Sequence, residues 1–306
     1  MKKKLFENLN EDEKKLRSMV FRILPERSFL PVASVLALQF VTYYVPKLVN
    51  AKRPHVELKC SADDRMPFVP PFIVFYVLAF FQWARYYLVL AREEREVMDG
   101  YLLAGAMAKL ACMASFIAVP TAIERPDVSG GGFFKRCCGI VYRFDEPTNL
   151  FPSMHCLESW FCLRLSLEQD SLGRVPEITR SIVKGYSGEM IHKVNRKEWK
   201  QLKEDLVQIT GTGKNSLYRR LMMRRKWQLE EKLTAAADDA AEATEDVGEI
   251  YVRVQALRNC LLSACVFAST VLVRQHYLPD VVSAIVLGEI SLFAGKKLSR
   301  RISRGR

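Results

Sequence analysis

Charged residues are scarce in long stretches of this sequence. Four such stretches contain at most two Asp, Glu, Lys or Arg residues each: 28–46, 66–84, 100–123 and 275–295. A helix of about 20 apolar residues crosses a bilayer core about 30 Å thick, so each stretch predicts a transmembrane helix. Two shorter apolar stretches, 150–163 and 259–273, are ambiguous by themselves. Counted with the other four, they predict an all-α bundle of six transmembrane helices.

Cysteine pairs with the spacing C-x-x-C are also missing, although the chain contains eight cysteines. That spacing is typical of zinc and thiol redox sites, so the sequence predicts neither kind of site. Most of the cysteines fall in apolar stretches and are expected to be small core residues. Cys60, Cys137 and Cys138 fall on one predicted side of the membrane, where free thiols and a disulfide are both compatible with the sequence.

The start of the chain lacks the pattern of a cleavable signal peptide, because the first long apolar stretch begins too late. Basic residues cluster there instead, with eight Lys and Arg residues within 1–27 and six more within 296–306. Lys and Arg beside transmembrane helices favour the cytoplasmic side. Both termini and the long segment 164–255 are therefore predicted to be cytoplasmic. The segments predicted to lie outside are 47–65, 124–151 and 274–280.

The formal net charge of +12 first suggests a nucleic-acid partner. Because the basic residues flank apolar stretches, membrane topology explains the charge more simply, and no nucleic-acid partner is expected. The sequence thus predicts a multi-pass protein of the cell membrane, inner or plasma.

Composition divides the chain into a membrane core and polar segments. The predicted core comprises 28–170 and 251–298, preceded by a cytoplasmic segment, 1–27, and followed by a basic tail, 299–306. Residues 171–250 are polar and rich in helix-forming residues. They predict a cytoplasmic helical insertion between the fourth and fifth transmembrane helices, which is a candidate binding site for a cytoplasmic partner.

Only four histidines occur in the chain, and two of them lie at predicted outer ends of transmembrane helices. His155 follows Pro152 and Ser153 where a helix should begin, and the free N–H groups of a first helical turn form an anion site. His276 precedes Asp280 by four residues. A carboxylate at that spacing can accept the Nδ1–H of the imidazole and leave Nε2 as a nucleophile.

Arg125 supplies a positive charge at a third predicted outer end. It precedes Pro126, which favours extended backbone, and its guanidinium presents a fork of donors that matches phosphate. One arginine, two histidines and a carboxylate together form the set of groups that phosphoryl transfer requires.

Three segments carry a resemblance to a known family: 120–126 (PTAIERP), 152–155 (PSMH) and 269–280 (STVLVRQHYLPD). They resemble, in order, the three motifs of the type 2 phosphatidic acid phosphatase superfamily, and they are similar to its branch of inositol phosphorylceramide and sphingomyelin synthases. The resemblance covers about 28–170 and 251–298. It implies a six-helix membrane fold with its active site on the extracytoplasmic side.

The resemblance also implies a role for each site residue. His276 would attack phosphorus and form a phosphohistidine, with Asp280 orienting its imidazole. His155 would protonate the leaving group and then activate water or an acceptor alcohol. Arg125 and Ser153 would hold the phosphate, and no metal or cofactor is implied.

The chain departs from the family at two cationic positions. Ala118 stands where the first motif has a lysine, and Thr270 stands where the third motif has an arginine after its serine. Arg274 and Arg143 are candidates to supply the missing charge, and Thr270 is left as a supporting residue.

Glu158 is an acidic residue within a predicted transmembrane helix, three residues after His155 on the same helix face. Buried carboxylates in membranes are costly and are often functional. One hypothesis is that Glu158 supports the His155 imidazolium. The alternative is a structural pair with Lys109.

The sequence therefore predicts an integral-membrane phosphatase that acts on a lipid phosphate or polyprenyl pyrophosphate through a phosphohistidine. One alternative is a lipid headgroup phosphotransferase of the inositol phosphorylceramide or sphingomyelin synthase type, in which an alcohol replaces water. A second alternative is a non-catalytic membrane scaffold or transporter. The expected substrate is a phospholipid or an isoprenoid phosphate.

Overall fold

The computed structural model describes residues 24–171 and 250–305, together with the isolated positions 200, 201 and 204. All the regular secondary structure in the two long ranges is helical. Within these residues there are seven α-helices: α1 (Glu26–Asn50), α2 (Ile73–Leu90), α3 (Arg95–Ala118), α4 (Phe133–Phe144), α5 (Met154–Ser171), α6 (Ile250–Leu272) and α7 (Leu278–Arg304). Short 3₁₀ turns lie at Asp63–Arg65 and Pro70–Phe72. The all-α prediction is confirmed for the described part of the chain.

The chain divides into two compact units, one comprising Met1–Glu168 with Gln255–Arg306 and the other Gln169–Val254. The first unit contains every site residue named above. The predicted segment 1–27 and the predicted insertion 171–250 lie almost entirely outside the described residues, so both remain predictions.

Five helices are long and apolar enough to cross a membrane: Glu26–Asn50, Pro70–Leu90, Arg95–Ala118, Ile250–Leu272 and Leu278–Arg304. Large apolar side chains such as Phe81 and Phe293 are exposed on their surfaces, as expected where a helix faces lipid tails. These features indicate a multi-pass membrane protein. The sixth predicted stretch, 150–163, falls largely in α5, which carries four acidic or basic residues and is not apolar enough to meet the same criterion.

Helix α5 is enclosed by other helices rather than exposed. Cys156, Leu157, Ser159 and Phe161 are all almost completely buried. The indole of Trp83 on α2 donates to the Ser159 hydroxyl at 3.0 Å, and a hydroxyl from α6 donates to the Ser159 carbonyl. Because protein surrounds this helix, it can carry charged residues that a lipid-facing helix could not.

Helices α3 and α7 pack closely through small residues. A Cβ atom added to Gly295 on α7 would lie 2.5 Å from the backbone nitrogen of Ala104 and 2.6 Å from the carbonyl oxygen of Gly100, both on α3. Small residues allow transmembrane helix backbones to approach in this way. This contact fixes α7, whose first turn carries Asp280.

The loop between α1 and α2 contacts both the segment that follows α3 and the start of α7. Val56 donates its N–H to the Pro120 carbonyl at 2.9 Å and accepts the N–H of Ala122 at 3.0 Å. The buried carboxylate of Asp63 accepts the N–H of Leu278 at 2.8 Å, where the positive end of the α7 dipole favours an anion. The first residues of α7 are therefore positioned by a distant loop.

The predicted outer segment 124–151 contains a helix that the sequence analysis did not anticipate. Helix α4 is short and amphipathic, with Phe133 and Phe144 exposed and Cys138 buried against α2 and its preceding turn. This helix was not predicted because it is much shorter than a transmembrane helix and because the glycines before it indicated only a turn. All eight cysteines are free thiols, so the disulfide alternative is not realised.

Candidate active site

The two histidines singled out from the sequence lie close together. His155 is the second residue of α5, and His276 lies in the short turn that joins α6 to α7. Their ring centroids are 6.0 Å apart, with an angle of 57° between the rings. This separation suits two groups that flank one small anion rather than two groups in direct contact.

His276 is oriented by the start of α7. Its Nδ1 lies 3.3 Å from Oδ2 of Asp280, and the same oxygen accepts the N–H of Tyr277 at 2.9 Å. The backbone N–H of His276 donates to the Thr270 carbonyl at 2.9 Å. In a neutral imidazole whose Nδ1–H donates to a carboxylate, Nε2 is the nitrogen that carries the free lone pair. That arrangement is the one a nucleophilic imidazole requires.

The turn before His276 is held from outside the site. Arg274 has a φ of 53°, a left-handed conformation that is uncommon for a non-glycine residue. Its guanidinium donates to the carbonyls of Asp63 at 3.3 Å and Met66 at 2.6 Å. Arg274 was predicted to be a phosphate ligand, but its guanidinium instead anchors the turn to the loop after α1.

Tyr277 connects the same turn to the loop after α1 by a second contact. Its hydroxyl lies 3.1 Å from Oε2 of Glu57. Burial and the hydrogen bond to Glu57 raise the pKa of Tyr277 to about 12. The hydroxyl therefore stays protonated and acts as a donor over the physiological range.

His155 is enclosed by aromatic rings from α2. It stacks on Tyr76, with centroids 4.4 Å apart, and contacts Trp83 at 5.1 Å and Phe80 at 5.8 Å. Its buried Nε2 has no hydrogen-bond partner among the described residues. Buried polar atoms are normally paired, so this nitrogen is available to a ligand.

Ser153 joins the beginnings of the two helices. Its N–H donates to the Asp280 carbonyl at 3.0 Å, and its hydroxyl accepts the N–H of Cys156 at 3.3 Å. The hydroxyl is therefore engaged as a helix cap. Thr270, the other hydroxyl residue of the motifs, donates to the Phe267 carbonyl at 2.8 Å and contacts the Cys156 thiol. These two residues support the positions of the imidazoles.

Arg125 lies beside the site, and both of its terminal guanidinium nitrogens are engaged by protein acceptors. One guanidinium nitrogen donates to the carbonyls of Tyr142 at 3.1 Å and Asp145 at 2.7 Å, and another donates to the side-chain oxygen of Gln275. The guanidinium also lies over the Tyr142 ring at 4.4 Å. Burial lowers the pKa of Arg125, and the Asp145 carboxylate offsets part of this effect. Arg125 thus places a fixed charge next to Gln275, the neighbour of His276 in the chain.

The two remaining predicted residues do not join the imidazoles. Arg143 is exposed on α4 and does not line the cavity described below. Glu158 forms a fully buried ion pair with Lys109 and accepts a hydrogen bond from the Tyr87 hydroxyl at 3.1 Å. Of the two hypotheses for Glu158, the described structure shows the ion pair with Lys109.

A cavity of about 360 Å³ opens onto both imidazoles. Its walls come from α1, α2, α4 and the segment 145–150. Two residues of this site were not predicted from the sequence: Asp145, which lines the cavity, and Gln275, whose amide oxygen accepts from Arg125. Neither residue belongs to a spacing pattern that links it to the histidines, so no local signal marked them.

Unpaired polar atoms concentrate at this site. Besides Nε2 of His155, the buried atoms without a hydrogen-bond partner in the described structure include Nε2 of Gln275, Nε of Arg125 and Oδ1 of Asp280. A cluster of such atoms around one cavity is expected where a polar ligand binds. Among the described residues, no group of three or more His, Cys, Asp and Glu side chains is arranged to hold a metal ion.

Comparisons of this chain with protein-family models, with curated proteins and with solved structures found no significant match.

Proposed function

We propose that this protein is an integral-membrane enzyme that cleaves or transfers a lipid phosphate ester through a phosphohistidine formed on His276. The observation that carries the proposal is the pair of imidazoles at one cavity, 6.0 Å apart, with the Asp280 carboxylate at Nδ1 of His276. The resemblance of three segments to the type 2 phosphatidic acid phosphatases supports the same reaction.

The two histidines divide the chemistry between them. Nε2 of His276 attacks phosphorus while the bond from phosphorus to the leaving oxygen breaks, and protonated His155 gives its proton to that oxygen. Neutral His155 then takes a proton from water or an acceptor alcohol, whose oxygen attacks phosphorus and releases His276. The Asp280 carboxylate stabilises the positive imidazole ring in between, and Arg125 adds positive charge nearby.

The proposed orientation places the site at the extracytoplasmic end of the bundle, with α5 as a sixth transmembrane helix. His276 directly precedes α7, whereas the other end of α7 carries the basic residues. The members of that basic group are Lys296, Lys297, Arg300, Arg301 and Arg304. Since basic residues favour the cytoplasmic side, the start of α7 faces outward. The enclosure of α5 by four other helices supports its crossing the membrane despite its charges.

Headgroup transfer to a second lipid is the other candidate reaction. Seven aromatic side chains line the cavity, and a lipid alcohol fits such walls better than bulk water does. Transfer and hydrolysis share the phosphohistidine and differ only in the acceptor.

A variant of the nucleophile tests the proposal. The purified full chain, reconstituted in liposomes, is assayed for release or transfer of the phosphorylated group from phosphatidate, polyprenyl pyrophosphate and phosphatidylcholine, with and without ceramide or diacylglycerol. His276→Asn should lower the rate by about a thousandfold or more, because no other side chain replaces the nucleophile. The matched control is His55→Asn, since His55 is exposed in the loop after α1.

Acid-labile labelling of the protein by a phosphate-labelled substrate should appear in the wild type and be lost with His276→Asn. A well-folded His276→Asn variant with wild-type turnover would contradict the proposed mechanism. A folded wild-type protein that turns over none of these lipids would instead favour the scaffold or transporter alternative.

A further inference from the structure

Helix α4 is held on the bundle in a fixed orientation. Its Cys138 thiol donates to the Pro70 carbonyl before α2 at 3.8 Å, and its Tyr142 hydroxyl donates to the Val273 carbonyl just after α6 at 2.6 Å. Cys138 and Tyr142 are four residues apart and therefore share one face of the helix. Because these contacts hold that face against the bundle, they also determine which side of α4 points away from it.

An apolar stripe runs along the side of α4 that points away. It consists of Phe133, Ile140 and Phe144, whose spacing of i, i+7 and i+11 aligns them along one helix face. Phe133 is 74% exposed, Ile140 is 55% exposed and Phe144 is 84% exposed. We call these three residues the α4 stripe. A row of large exposed apolar side chains marks a surface that contacts a partner or a membrane.

Two arginines border the α4 stripe on one side. Arg136 and Arg143 are seven residues apart, and at about 100° per residue both lie roughly 70° around the helix axis from the stripe. Both are exposed, and neither guanidinium has a hydrogen-bond or ion-pair partner among the described residues. An apolar stripe beside basic residues is typical of a helix that lies in a membrane surface, where guanidinium groups bind lipid phosphates.

The C-terminal end of α4 lies level with the end turns of α1 and α2. The carboxylate of Asp145, the residue after α4, accepts the hydroxyls of Tyr43 at 3.2 Å and Tyr76 at 2.6 Å. Tyr43 lies seven residues before the end of α1 at Asn50, and Tyr76 lies three residues after the start of α2 at Ile73. These positions are about 10 Å and about 5 Å inside the helix ends. Helices in a membrane surface bury their apolar side to about the same depth.

The α4 stripe is also continuous with the apolar surface of α1. Ile140 and Phe144 line the same cavity as Phe40 and Tyr44 of α1, which are 65% and 52% exposed. Helix α1 is one of those long and apolar enough to cross a membrane. Phe133, at the other end of the stripe, is not part of the cavity lining, so the cavity does not account for its exposure.

We propose that α4 is a membrane-surface anchor: the α4 stripe inserts among the acyl chains of the adjacent leaflet, and Arg136 and Arg143 bind lipid phosphates of that leaflet. The partner is the bilayer surface and not a substrate molecule, so the proposal does not depend on the reaction proposed above. Burial of the stripe supplies the apolar part of the attraction, and the arginines supply the electrostatic part. A second copy of the chain is the competing occupant of this surface.

Photo-crosslinking from the two ends of the stripe tests the proposal. The full chain carrying Phe133→benzoylphenylalanine or Phe144→benzoylphenylalanine is reconstituted in liposomes of phosphatidylcholine and phosphatidylglycerol and irradiated. Mass spectrometry should find lipid adducts at both positions, attached through acyl-chain carbons. The two positions are about 16 Å apart along the helix, so adducts at both mean that α4 lies along the membrane surface. Because both side chains are exposed, the probe should not disturb packing.

Two further probe positions calibrate the yield of lipid adducts. Phe293 on α7 is 72% exposed on a helix long and apolar enough to cross the membrane, and it is the positive control. His55 is exposed in the loop after α1 and is the negative control. The yield at Phe133 should approach the yield at Phe293 and exceed that at His55 by about tenfold or more.

Neutralising the arginines tests the charged part of the anchor. Arg136→Gln with Arg143→Gln should lower the yield at Phe133 by about fivefold or more, because even one basic residue near an anionic membrane surface changes binding by roughly that factor. The matched control is Lys52→Gln with Lys59→Gln, which removes the same charge from the loop after α1 and should leave the yield unchanged. An equal yield in both double variants would remove the arginines from the proposal.

Three outcomes of the crosslinking would overturn the anchor. Lipid adducts at Phe144 alone would mean that only the cavity end of α4 meets lipid. Adducts between two copies of the chain would make the stripe a self-association surface. Labelling at Phe293 without labelling at either stripe position would place α4 in water. None of these outcomes bears on turnover that depends on His276.

Discussion

The N-terminal end and the middle of helix α5 differ in how their buried polar groups are paired. At the N-terminal end, His155 has a buried ring nitrogen without a partner in the described structure, and atoms of Gln275 and Asp280 nearby are also unpaired. One turn further along, Glu158 is paired with Lys109 and hydrogen-bonded to Tyr87. Because unpaired buried groups are costly, they persist where a ligand completes them. Saturated groups serve the fold.

The comparison shows that a charged residue inside a membrane protein is not by itself a sign of a site. Glu158 lies three residues from a candidate catalytic histidine, but its charge is balanced locally by Lys109. Asp145, outside the predicted transmembrane helices, lines the cavity and has hydrogen-bonding capacity to spare. What separates the two carboxylates is whether protein groups already satisfy them.

The largest effect on folding is expected from breaking the central pair. Lys109→Met or Glu158→Gln leaves the other charged group buried without a partner, which should cost about 3–5 kcal/mol of stability. The double variant Lys109→Met with Glu158→Gln should recover most of that loss, because no uncompensated charge remains. Thermal unfolding in detergent measures the cycle, and the rate per folded molecule should stay near the wild-type value.

A surface ion pair is the control for this cycle. Lys47 and Glu146 are separated by 2.6 Å and are 36% and 48% exposed, so Glu146→Gln should change stability by less than about 1 kcal/mol. If Glu158→Gln instead folds normally and loses turnover, Glu158 acts on His155 and the division between the two parts of α5 breaks down.

Near the N-terminal end of α5 the opposite pattern, a loss of rate without a loss of stability, is expected from Asp280→Asn. Asparagine can still accept the Tyr277 N–H and cap α7 as well as aspartate does, so thermal stability should change little. Without the negative charge at Nδ1, the positive imidazole of the intermediate loses its stabilisation, and kcat should fall by about a hundredfold or more with KM nearly unchanged.

The diagnostic measurement for Asp280 is the burst of phosphohistidine formation at saturating substrate. A slower burst on a stable protein identifies Asp280 as a positioning residue for His276. An unchanged burst together with a lower unfolding temperature would mean that Asp280 only caps the helix.

Sequence reasoning identified the groups whose neighbours are close in the chain. The four-residue spacing of His276 and Asp280 puts His276 just before α7 and Asp280 in its first turn, and the Pro-Ser sequence before His155 marks the start of α5. The stretches with few charges predicted the apolar helices, because the composition of a segment is itself local and determines whether that segment can face lipid. Arg125 was placed beside the site by its motif, although its hydrogen-bond partners were not foreseen.

Long-range partners could not be predicted in this way. Asp63 reaches Leu278 from the loop after α1, and Arg274 turns away from the imidazoles toward the same loop. Asp145 faces the cavity only because α4 returns the chain to α1 and α2. For Glu158, the sequence allowed His155 or Lys109 as the partner, and only the packing of α3 against α5 selected Lys109. Each of these depends on tertiary packing, which a single sequence does not encode locally.

The smallest effect is expected from Gly295→Ala, which belongs wholly to the structural part of the bundle. The new Cβ would lie 2.5 Å from a backbone atom of Ala104 and 2.6 Å from one of Gly100, so α3 and α7 must separate slightly, at a cost of about 1–3 kcal/mol. Gly105→Ala is the control, because its Cβ would meet only a Val35 methyl group at 3.6 Å. Thermal unfolding should separate the two variants, and both should keep the wild-type rate per folded molecule. A lower rate with Gly295→Ala at normal stability would mean that the α3–α7 contact sets the distance between the imidazoles, which would connect the saturated part of the bundle directly to the site.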